Sequence, residues 1–280
     1  MSFIVTTGAT GRLGSRVAAR LADAGVEQRL VSRRADRAAP LEGATAVSAD
    51  YGDPAAVRRA LDGASTVLFV SAKEGPERFG RHRAFVDAAR AAGVTHLVYV
   101  SFYGAAPDAT FTLARDHWTT EQYIRDSGIP FTFLRDNLYA DFLPYLAGDD
   151  GVIRGPAGQG RVSVVAQDDI AEAAAAVLLR PEEHEGVTYN LTGPRAVTLD
   201  EVAAVLTRAT GRVFSYHGET VEEAYASRSA LGAPAWQVEA WVSTYLAIAA
   251  GELEEVGDGV PALTGRPATG LEELFPRRAG

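Results

Sequence analysis

The first half of the chain alternates short apolar runs with longer segments in which apolar residues recur at helical spacing. The run 67–70 is apolar at every position, which is typical of a parallel strand buried on both faces. Strands that alternate with helices predict a parallel sheet covered by helices, an α/β architecture. The predicted strands are 3–7, 29–32, 45–49, 66–71, 96–101 and 131–135, and the predicted helices are 12–24, 54–61, 77–92 and 116–126.

The pattern changes beyond Pro144. Residues 148–160 are rich in glycine, and Thr198 with Glu201 has the spacing of a helix-starting capping box. We therefore expect a main domain over residues 1–147 and a smaller α/β lobe over 148–280, lying above the carboxyl ends of the main strands. In this half we predict strands at 162–165 and 188–191, which fit either the lobe or the main sheet, and helices at 169–179, 221–231 and 236–250.

Composition removes several classes of function. The net charge of −9 and the pI near 5.1 give no electrostatic basis for binding nucleic acid. Cysteine is absent and the five histidines show no metal-ligand spacing, so we expect neither disulfides nor a metal site. No apolar run is long enough to span a membrane and no signal region precedes the first strand, so we predict a cytoplasmic protein. A homodimer is compatible with the sequence.

A glycine-rich turn follows the first predicted strand directly. Residues 8–14 read G-A-T-G-R-L-G and open the first predicted helix. In such turns the first glycine permits the tight bend, the second admits phosphates near the backbone, and the third lets the helix pack on the strand. The free amides of the helix N-terminus then favour an anion. The predicted pyrophosphate site consists of Gly8, Thr10, Gly11, Arg12, Leu13 and Gly14; a glycine turn without a ligand is the alternative.

Two arginines indicate which dinucleotide is bound. Arg33 and Arg34 follow the second predicted strand, where an NAD-type site carries a carboxylate for the ribose hydroxyl. Guanidinium groups instead form charge-assisted bonds with a 2′-phosphate, which predicts NADP(H). A solvated basic pair is the alternative. Asp50, with Tyr51 beside it, ends the third predicted strand and fits a contact with adenine, although a turn residue is an equal alternative.

The chain lacks a common acid/base pair of dinucleotide-dependent reductases. Lys73 is its only lysine, and no tyrosine lies four residues before it. A tyrosine whose pKa is lowered by such a lysine is therefore absent. Carbonyl reduction needs an acid of that kind, whereas a quinone or a cationic dye accepts a hydride without it. The absence of this tyrosine–lysine pair therefore indicates an acceptor such as a quinone or a cationic dye, and it does not exclude catalysis.

With these residues in view, the chain resembles the NmrA-like branch of the atypical short-chain dehydrogenases/reductases, near the bacterial NADPH:quinone oxidoreductases and triphenylmethane reductases. The resemblance implies a Rossmann-type doubly wound parallel sheet, NADP(H) as cofactor, and a cleft beneath the smaller lobe. It also implies that Val70, Ser71, Ser101 and Phe102 line the cofactor. The segments that carry it are 7–14, Arg33, 49–53, 82–94, 129–139 and 188–193.

The function expected from the residues and the resemblance is hydride transfer from NADPH to a small quinone-like or other flat, electron-poor acceptor. The predicted catalytic residues are Tyr103, Asn137 and Tyr139, which follow the fifth and sixth strands. Phe102 and Phe142 fit either an acceptor wall or core packing, and His82 and His117 fit either proton relay or structure. The alternative function is a non-catalytic NADP(H)-binding redox sensor that acts on a protein partner.

Overall fold

A computed structural model of the chain describes residues 3–276. Its strands are β1 (Phe3–Thr7), β2 (Gln28–Ser32), β3 (Ala44–Ser48), β4 (Ala64–Val70), β5 (His96–Phe102), β6 (Phe131–Asp136), β7 (Val152–Gly155), β8 (Thr188–Leu191) and β9 (Ser215–Gly218). Its helices are α1 (Arg12–Asp23), α2 (Pro54–Leu61), α3 (Arg78–Ala91), α4 (Thr112–Ser127), α5 (Gln167–Leu179), α6 (Leu199–Thr210), α7 (Val221–Ser229), α8 (Ala235–Ala249), α9 (Gly259–Thr264) and α10 (Leu271–Leu274).

Seven of the strands form one parallel sheet in the order β3-β2-β1-β4-β5-β6-β8. Helices α1 and α5 pack together on one face, and α2, α3 and α4 pack in sequence on the other. The predicted α/β class and doubly wound parallel sheet are confirmed. The strand order reverses between β1 and β4, and ligands of open α/β sheets bind in the crevice at the carboxyl ends of such strands.

The central strands are buried on both faces, as their apolar runs predict. Every residue of β5 is buried. On the face covered by α3, Phe69 and Phe85 stack with ring centroids 4.3 Å apart, and Tyr99 lies 5.1 Å from Phe69. Because this layer is closely filled, side chains at the carboxyl ends of β4 and β5 are held on a rigid base.

The second half departs from the predicted pattern. The predicted strand 162–165 is wrong: this segment makes only isolated bridges, from Val162 to Val197 and from Val165 to Tyr139, because it crosses between the lobe and the main sheet. Strands β7 and β9, which the sequence analysis missed, form a separate two-stranded parallel sheet. The capping box at Thr198 is confirmed, with Glu201 closing it.

The chain re-enters the main sheet after residue 148. Strand β8 pairs with β6, and α5 packs on α1. The predicted domain boundary at 147/148 stays a prediction. The elements that pack together as the lobe are β7, β9, α6, α7, α8 and α10. Residues 1–2 and 277–280, which the predicted domains include, lie outside the described residues. Within 3–276, no helix is both long and apolar enough to cross a lipid bilayer.

Candidate functional site

The glycine-rich turn has the geometry that its three glycines predict. Gly8 adopts a left-handed conformation with φ +62°, and a Cβ there would lie 3.1 Å from Cβ of Val70. A Cβ at Gly14 would lie 2.6 Å from the carbonyl carbon of Gly8 and 2.8 Å from the carbonyl oxygen of Thr7. Gly14 therefore allows α1 to pack directly against the end of β1, as expected.

The N-terminus of α1 is open to an anion. Gly11 is exposed, and a Cβ there would meet only the carbonyl oxygen of Gly8, at 3.1 Å. Among the described residues no side chain caps the helix; its first turn has no acidic residue, and Arg12 stands at the first helical position. A cation is unfavourable at this end of a helix dipole unless an anion lies beside it. The uncapped amides, Arg12 and the open space above Gly11 fit a pyrophosphate.

The predicted 2′-phosphate residues lie in the open. Arg33 and Arg34 are exposed beyond the end of β2, and within residues 3–276 neither makes an ion pair. Nearby, Asp50 is half-buried: its Oδ1 accepts from the backbone N–H of Gly52 at 2.8 Å and from Arg81 at 3.3 Å. The second carboxylate oxygen of Asp50, Oδ2, is available for the predicted contact with adenine.

Tyr51 has a different place from the one predicted. Its hydroxyl is hydrogen-bonded to Thr7 Oγ1 at 2.6 Å and to the carbonyl oxygen of Val70 at 2.8 Å. Burial raises the pKa of this hydroxyl above its ordinary value. Tyr51 therefore joins the carboxyl ends of β1 and β4 below the glycine turn, and its hydroxyl is not free to contact a nucleotide.

The two serines expected to line the cofactor turn their hydroxyls into the protein. Ser71 Oγ donates to the carbonyl oxygen of Val100 at 2.8 Å, and Ser101 Oγ donates to Glu121 at 2.6 Å. Glu121 is fully buried and is neutralised by two hydrogen bonds from Arg135, at 2.6 and 2.8 Å. These contacts fix the ends of β4, β5 and β6 against α4.

His82 is a positioning residue and not a proton relay. Its Nε2 accepts from the backbone N–H of Ala72 at 2.9 Å, which leaves Nδ1 to donate to Thr120 Oγ1, also at 2.9 Å. Burial, followed by the nearby charge of Arg78, lowers the pKa of His82 to about 3. The imidazole is therefore neutral, and it holds the segment that leaves β4 against α3 and α4.

A buried guanidinium lies at the same edge of the sheet. Arg78, the first residue of α3, is only 6% exposed, and its Nη2 lies 2.9 Å from Nε2 of His117. A guanidinium can only donate, so Nε2 of His117 accepts, and its Nδ1–H faces Tyr99 Oη at 3.0 Å. Burial and Arg78 hold the pKa of His117 well below its ordinary value. Sequence patterns gave no signal for this group, because Arg78, His117 and Tyr99 lie on three separate elements, α3, α4 and β5.

Tyr139 links the end of β6 to the glycine turn. Its hydroxyl donates to Asp136 Oδ2 at 2.9 Å, and burial raises the pKa of Asp136 well above its ordinary value. The Tyr139 ring stacks on Phe142 at 5.9 Å, and the guanidinium of Arg12 lies 4.7 Å from the centre of the Phe142 ring. Tyr139 and Phe142 thus form an aromatic wall that reaches from β6 to the phosphate cradle, which is the glycine turn 8–14 with the N-terminus of α1. Phe142 is exposed, as a wall residue should be.

The other predicted acceptor residues are buried elsewhere. Asn137 is fully buried: Nδ2 donates to Ser163 Oγ at 2.9 Å and to the carbonyl oxygen of Leu253 at 3.0 Å. Its amide therefore fastens β6 to the segments that cross above it, contrary to the predicted contact with an acceptor. Phe102 is buried against Phe111, with the two ring centroids 4.9 Å apart.

Tyr103 lies at the boundary with the lobe. The residue is buried, and its hydroxyl donates to Glu255 Oε2 at 3.3 Å. Burial, followed by the charge of Glu255, raises the pKa of Tyr103 to about 12. Of the three predicted catalytic side chains, only Tyr139 belongs to the wall beside the phosphate cradle.

Comparison with known proteins agrees with this geometry. Residues 8–181 match the NAD(P)H-binding family. Quinone oxidoreductase 2 of Escherichia coli (strain K12) is 34% identical over 96% of each chain. A (4-alkanoyl-5-oxo-2,5-dihydrofuran-3-yl)methyl phosphate reductase of Streptomyces griseus is 38% identical over 95% of this chain and 94% of its own.

Solved structures extend the agreement to three dimensions. The E. coli NADPH-dependent quinone oxidoreductase complexed with NADPH superposes with a TM-score of 0.88, at 33% identity, over 98% of both chains. The Citrobacter sp. triphenylmethane reductase complexed with NADP(H) gives a TM-score of 0.85 at 33% identity, over 98% of this chain and 99% of that one. The chain belongs to the NAD(P)H-binding family, and the expected resemblance and cofactor are confirmed.

Proposed function

We propose that this protein is an NADPH-dependent oxidoreductase that transfers a hydride to a quinone-like or other flat, electron-poor acceptor. The observation that carries the proposal is the position of Tyr139. Tyr139 belongs to the aromatic wall beside the phosphate cradle, and its hydroxyl is hydrogen-bonded to the buried carboxyl group of Asp136. The raised pKa of Asp136 favours the protonated form of that carboxyl group. The names of the relatives, a quinone oxidoreductase and a triphenylmethane reductase, support the same reading.

The cofactor would be held mainly by backbone groups. The first-turn amides of α1 and the open Gly11 fit the pyrophosphate, and Arg33 with Arg34 would bind the 2′-phosphate. In a doubly wound sheet the dinucleotide crosses the carboxyl edge, so adenine would lie over β2 and nicotinamide over β4 and β5. NADPH supplies the hydride.

The residues then need only to orient the acceptor and supply one proton. A quinone takes a hydride, which carries both electrons, and a proton, giving a hydroquinone and NADP⁺. Once Asp136 is protonated, the direction of its hydrogen bond with Tyr139 would reverse: the carboxyl group would donate to Tyr139 Oη, and the tyrosine proton would be free to pass to the quinone. A cationic dye is neutralised by the hydride alone and needs no proton. Tyr139 therefore serves quinones, while its ring and Phe142 would serve both classes of acceptor by stacking.

A non-catalytic redox sensor is the other function that the sequence left open. It would use the same phosphate cradle, but it gives no reason for a tyrosine hydroxyl on a buried carboxyl beside that cradle. Every relative compared above is named as a reductase or an oxidoreductase. We therefore propose the enzyme. A cytoplasmic location and a homodimer stay predictions.

The test is NADPH oxidation, followed at 340 nm, with a panel of quinones and cationic triphenylmethane dyes, and with NADH in parallel. We expect turnover with NADPH. Tyr139→Phe should lower quinone turnover by roughly 100-fold, the usual contribution of a positioned acid, and leave dye reduction nearly unchanged. Tyr225→Phe, at an exposed tyrosine of α7, is the control. Tight NADPH binding without turnover of any acceptor would instead favour the sensor.

A further inference from the structure

Arg78 is a buried cation without a carboxylate partner. The residue is only 6% exposed, and within residues 3–276 no carboxylate oxygen lies within ion-pair distance of its guanidinium. Among the described residues, its Nε is buried without a hydrogen-bond partner, and its one side-chain hydrogen bond is to the neutral imidazole of His117. Buried charges in native proteins are nearly always paired, and a buried donor without a partner is a feature of catalytic and ligand-binding groups.

Other buried ionised groups in the chain show what ordinary pairing looks like. Glu121 receives two hydrogen bonds from Arg135, and Asp169 is paired with Arg266 at 2.8 Å. The half-buried Arg228 is likewise paired with Glu219, at 2.7 Å. Arg78 is thus an exception within a chain whose folding otherwise neutralises buried charge.

The position of Arg78 indicates which ligand is missing. Arg78 is the first residue of α3, after the segment that leaves the carboxyl end of β4. Its partner His117 is hydrogen-bonded to Tyr99 of β5. The positive charge of Arg78 also acts to lower the pKa of Asp136 and that of Tyr139, at the end of β6. In the proposed binding mode of the cofactor, this is the half of the crevice that faces nicotinamide and the acceptor. The phosphates would bind at the N-terminus of α1, so they would not pair with Arg78.

We propose that Arg78 is a further catalytic residue, which binds the acceptor oxygen on which negative charge develops when the hydride arrives. The inference rests on the proposed function and deepens it. The C4–H bond of NADPH breaks, its electron pair forms the new bond to the quinone, and one quinone oxygen becomes an oxyanion. Arg78 donates to that oxygen through the guanidinium donors that the protein leaves unpaired. Tyr139 then supplies the proton that completes the hydroquinone.

The surrounding groups suit this role. His117 is fixed as a neutral acceptor, so it orients the guanidinium without competing for the oxyanion. The low-dielectric surroundings strengthen a charge-assisted bond that forms only as charge develops. The same cation disfavours an acceptor that is itself positive. Arg78 therefore favours acceptors with carbonyl oxygens over cationic dyes.

A redox-inert probe tests Arg78 without requiring turnover. 4-Nitrophenol is titrated into the NADP⁺-loaded protein, and its absorbance near 400 nm reports whether the bound probe is ionised. We expect the wild type to bind the phenolate, and Arg78→Met to bind it at least tenfold more weakly. Arg83→Met, an exposed arginine of the same helix, is the matched control. Equal affinity and equal ionisation in wild type and Arg78→Met would overturn the proposal.

Turnover supplies the second arm. Arg78→Met should lower kcat/KM with a quinone on the order of 100-fold, the usual effect of removing one oxyanion donor, while dye reduction is unchanged or faster. Arg78→Lys, which keeps the charge, should recover part of the quinone activity. NADPH affinity and melting temperature identify a folding defect. An equal loss with both acceptors, or no loss with the quinone, would refute the role of Arg78. A wild type that reduces no acceptor would refute the proposed function, and the nitrophenol titration would still decide whether Arg78 binds an oxyanion.

Discussion

Substitution of alanine for single glycines of the glycine turn allows effects on stability to be distinguished from effects on cofactor binding. At Gly14 an added Cβ would lie 2.6 Å from the carbonyl carbon of Gly8, about 1 Å too close, and backbone cannot yield as a flexible side chain can. Overpacking of this kind costs about 1–3 kcal/mol. For a chain of this size Gly14→Ala should lower the melting temperature by roughly 2–5 °C.

At Gly11 the same methyl group meets one atom only, the carbonyl oxygen of Gly8 at 3.1 Å, in an ordinary extended conformation. Gly11→Ala should therefore leave the melting temperature nearly unchanged. The methyl group occupies the space proposed for the pyrophosphate, so NADPH should bind roughly tenfold more weakly or worse, a loss of about 1.4 kcal/mol.

The assay is thermal unfolding by circular dichroism together with NADPH binding by fluorescence titration. Gly80→Ala is the matched control, because Gly80 is exposed on α3 and has nothing within 4 Å of its added Cβ. It should raise stability by about 0.5–1 kcal/mol through helix propensity alone. If Gly11→Ala binds NADPH as tightly as the wild type, the site assigned to the pyrophosphate is wrong. If Gly14→Ala is as stable as Gly80→Ala, the packing argument fails.

Three further substitutions test other parts of the account. Arg33→Asp replaces attraction for a 2′-phosphate by repulsion, so it should weaken NADPH binding roughly 10–100-fold while NADH binding changes little. Arg83→Asp is the control. Equal losses of affinity for both nucleotides would refute the assignment of Arg33 to the 2′-phosphate. Asn137→Ala leaves buried partners unsatisfied and should cost about 2–3 kcal/mol of unfolding free energy, so a selective loss of quinone turnover in a fully stable variant would contradict its structural assignment. The pKa of His82 is lowered to about 3, so its contribution to stability is complete above pH 6.5 and is lost as the pH falls from 6.5 toward 3. His82→Gln should remove about 1.4 kcal/mol per pH unit of that dependence in chemical denaturation, and an unchanged pH profile would show that His82 is not held neutral.

The parts of the fold that were predicted correctly depend on local pattern. Strand β1 and its glycine turn were located because apolar runs and turn residues are read from neighbouring positions. Helix α4 begins at Thr112, four residues before its predicted start, because Leu113 and Ala114 are buried against the lobe. Strands β7 and β9 were missed because each has four residues and pairs with a strand about sixty residues away. Nothing local marks such a pairing.

The same division holds for the site. The roles of Gly8 and Gly14 follow from the order of strand, turn and helix, so the sequence was sufficient to predict them. Asn137 was misassigned because its amide contacts Ser163 and Leu253, which the pattern does not bring near. The partner of Arg78 likewise comes from α4, so its burial without a counter-ion was visible only in the structure.

Direct hydride transfer from NADPH is the central claim, and NADPH deuterated at C4 tests it most directly. Oxidation of the two C4 deuterated epimers is compared for whichever quinone or dye the protein reduces. Because the protein would hold nicotinamide against the acceptor in one orientation, we expect one epimer to react more slowly than unlabelled NADPH and the other to react at the same rate. With a triphenylmethane dye, the deuterium of the slower epimer should appear on the central carbon of the product. Absence of NADPH oxidation with every acceptor, or, with a dye, loss of the deuterium to solvent, would contradict the account.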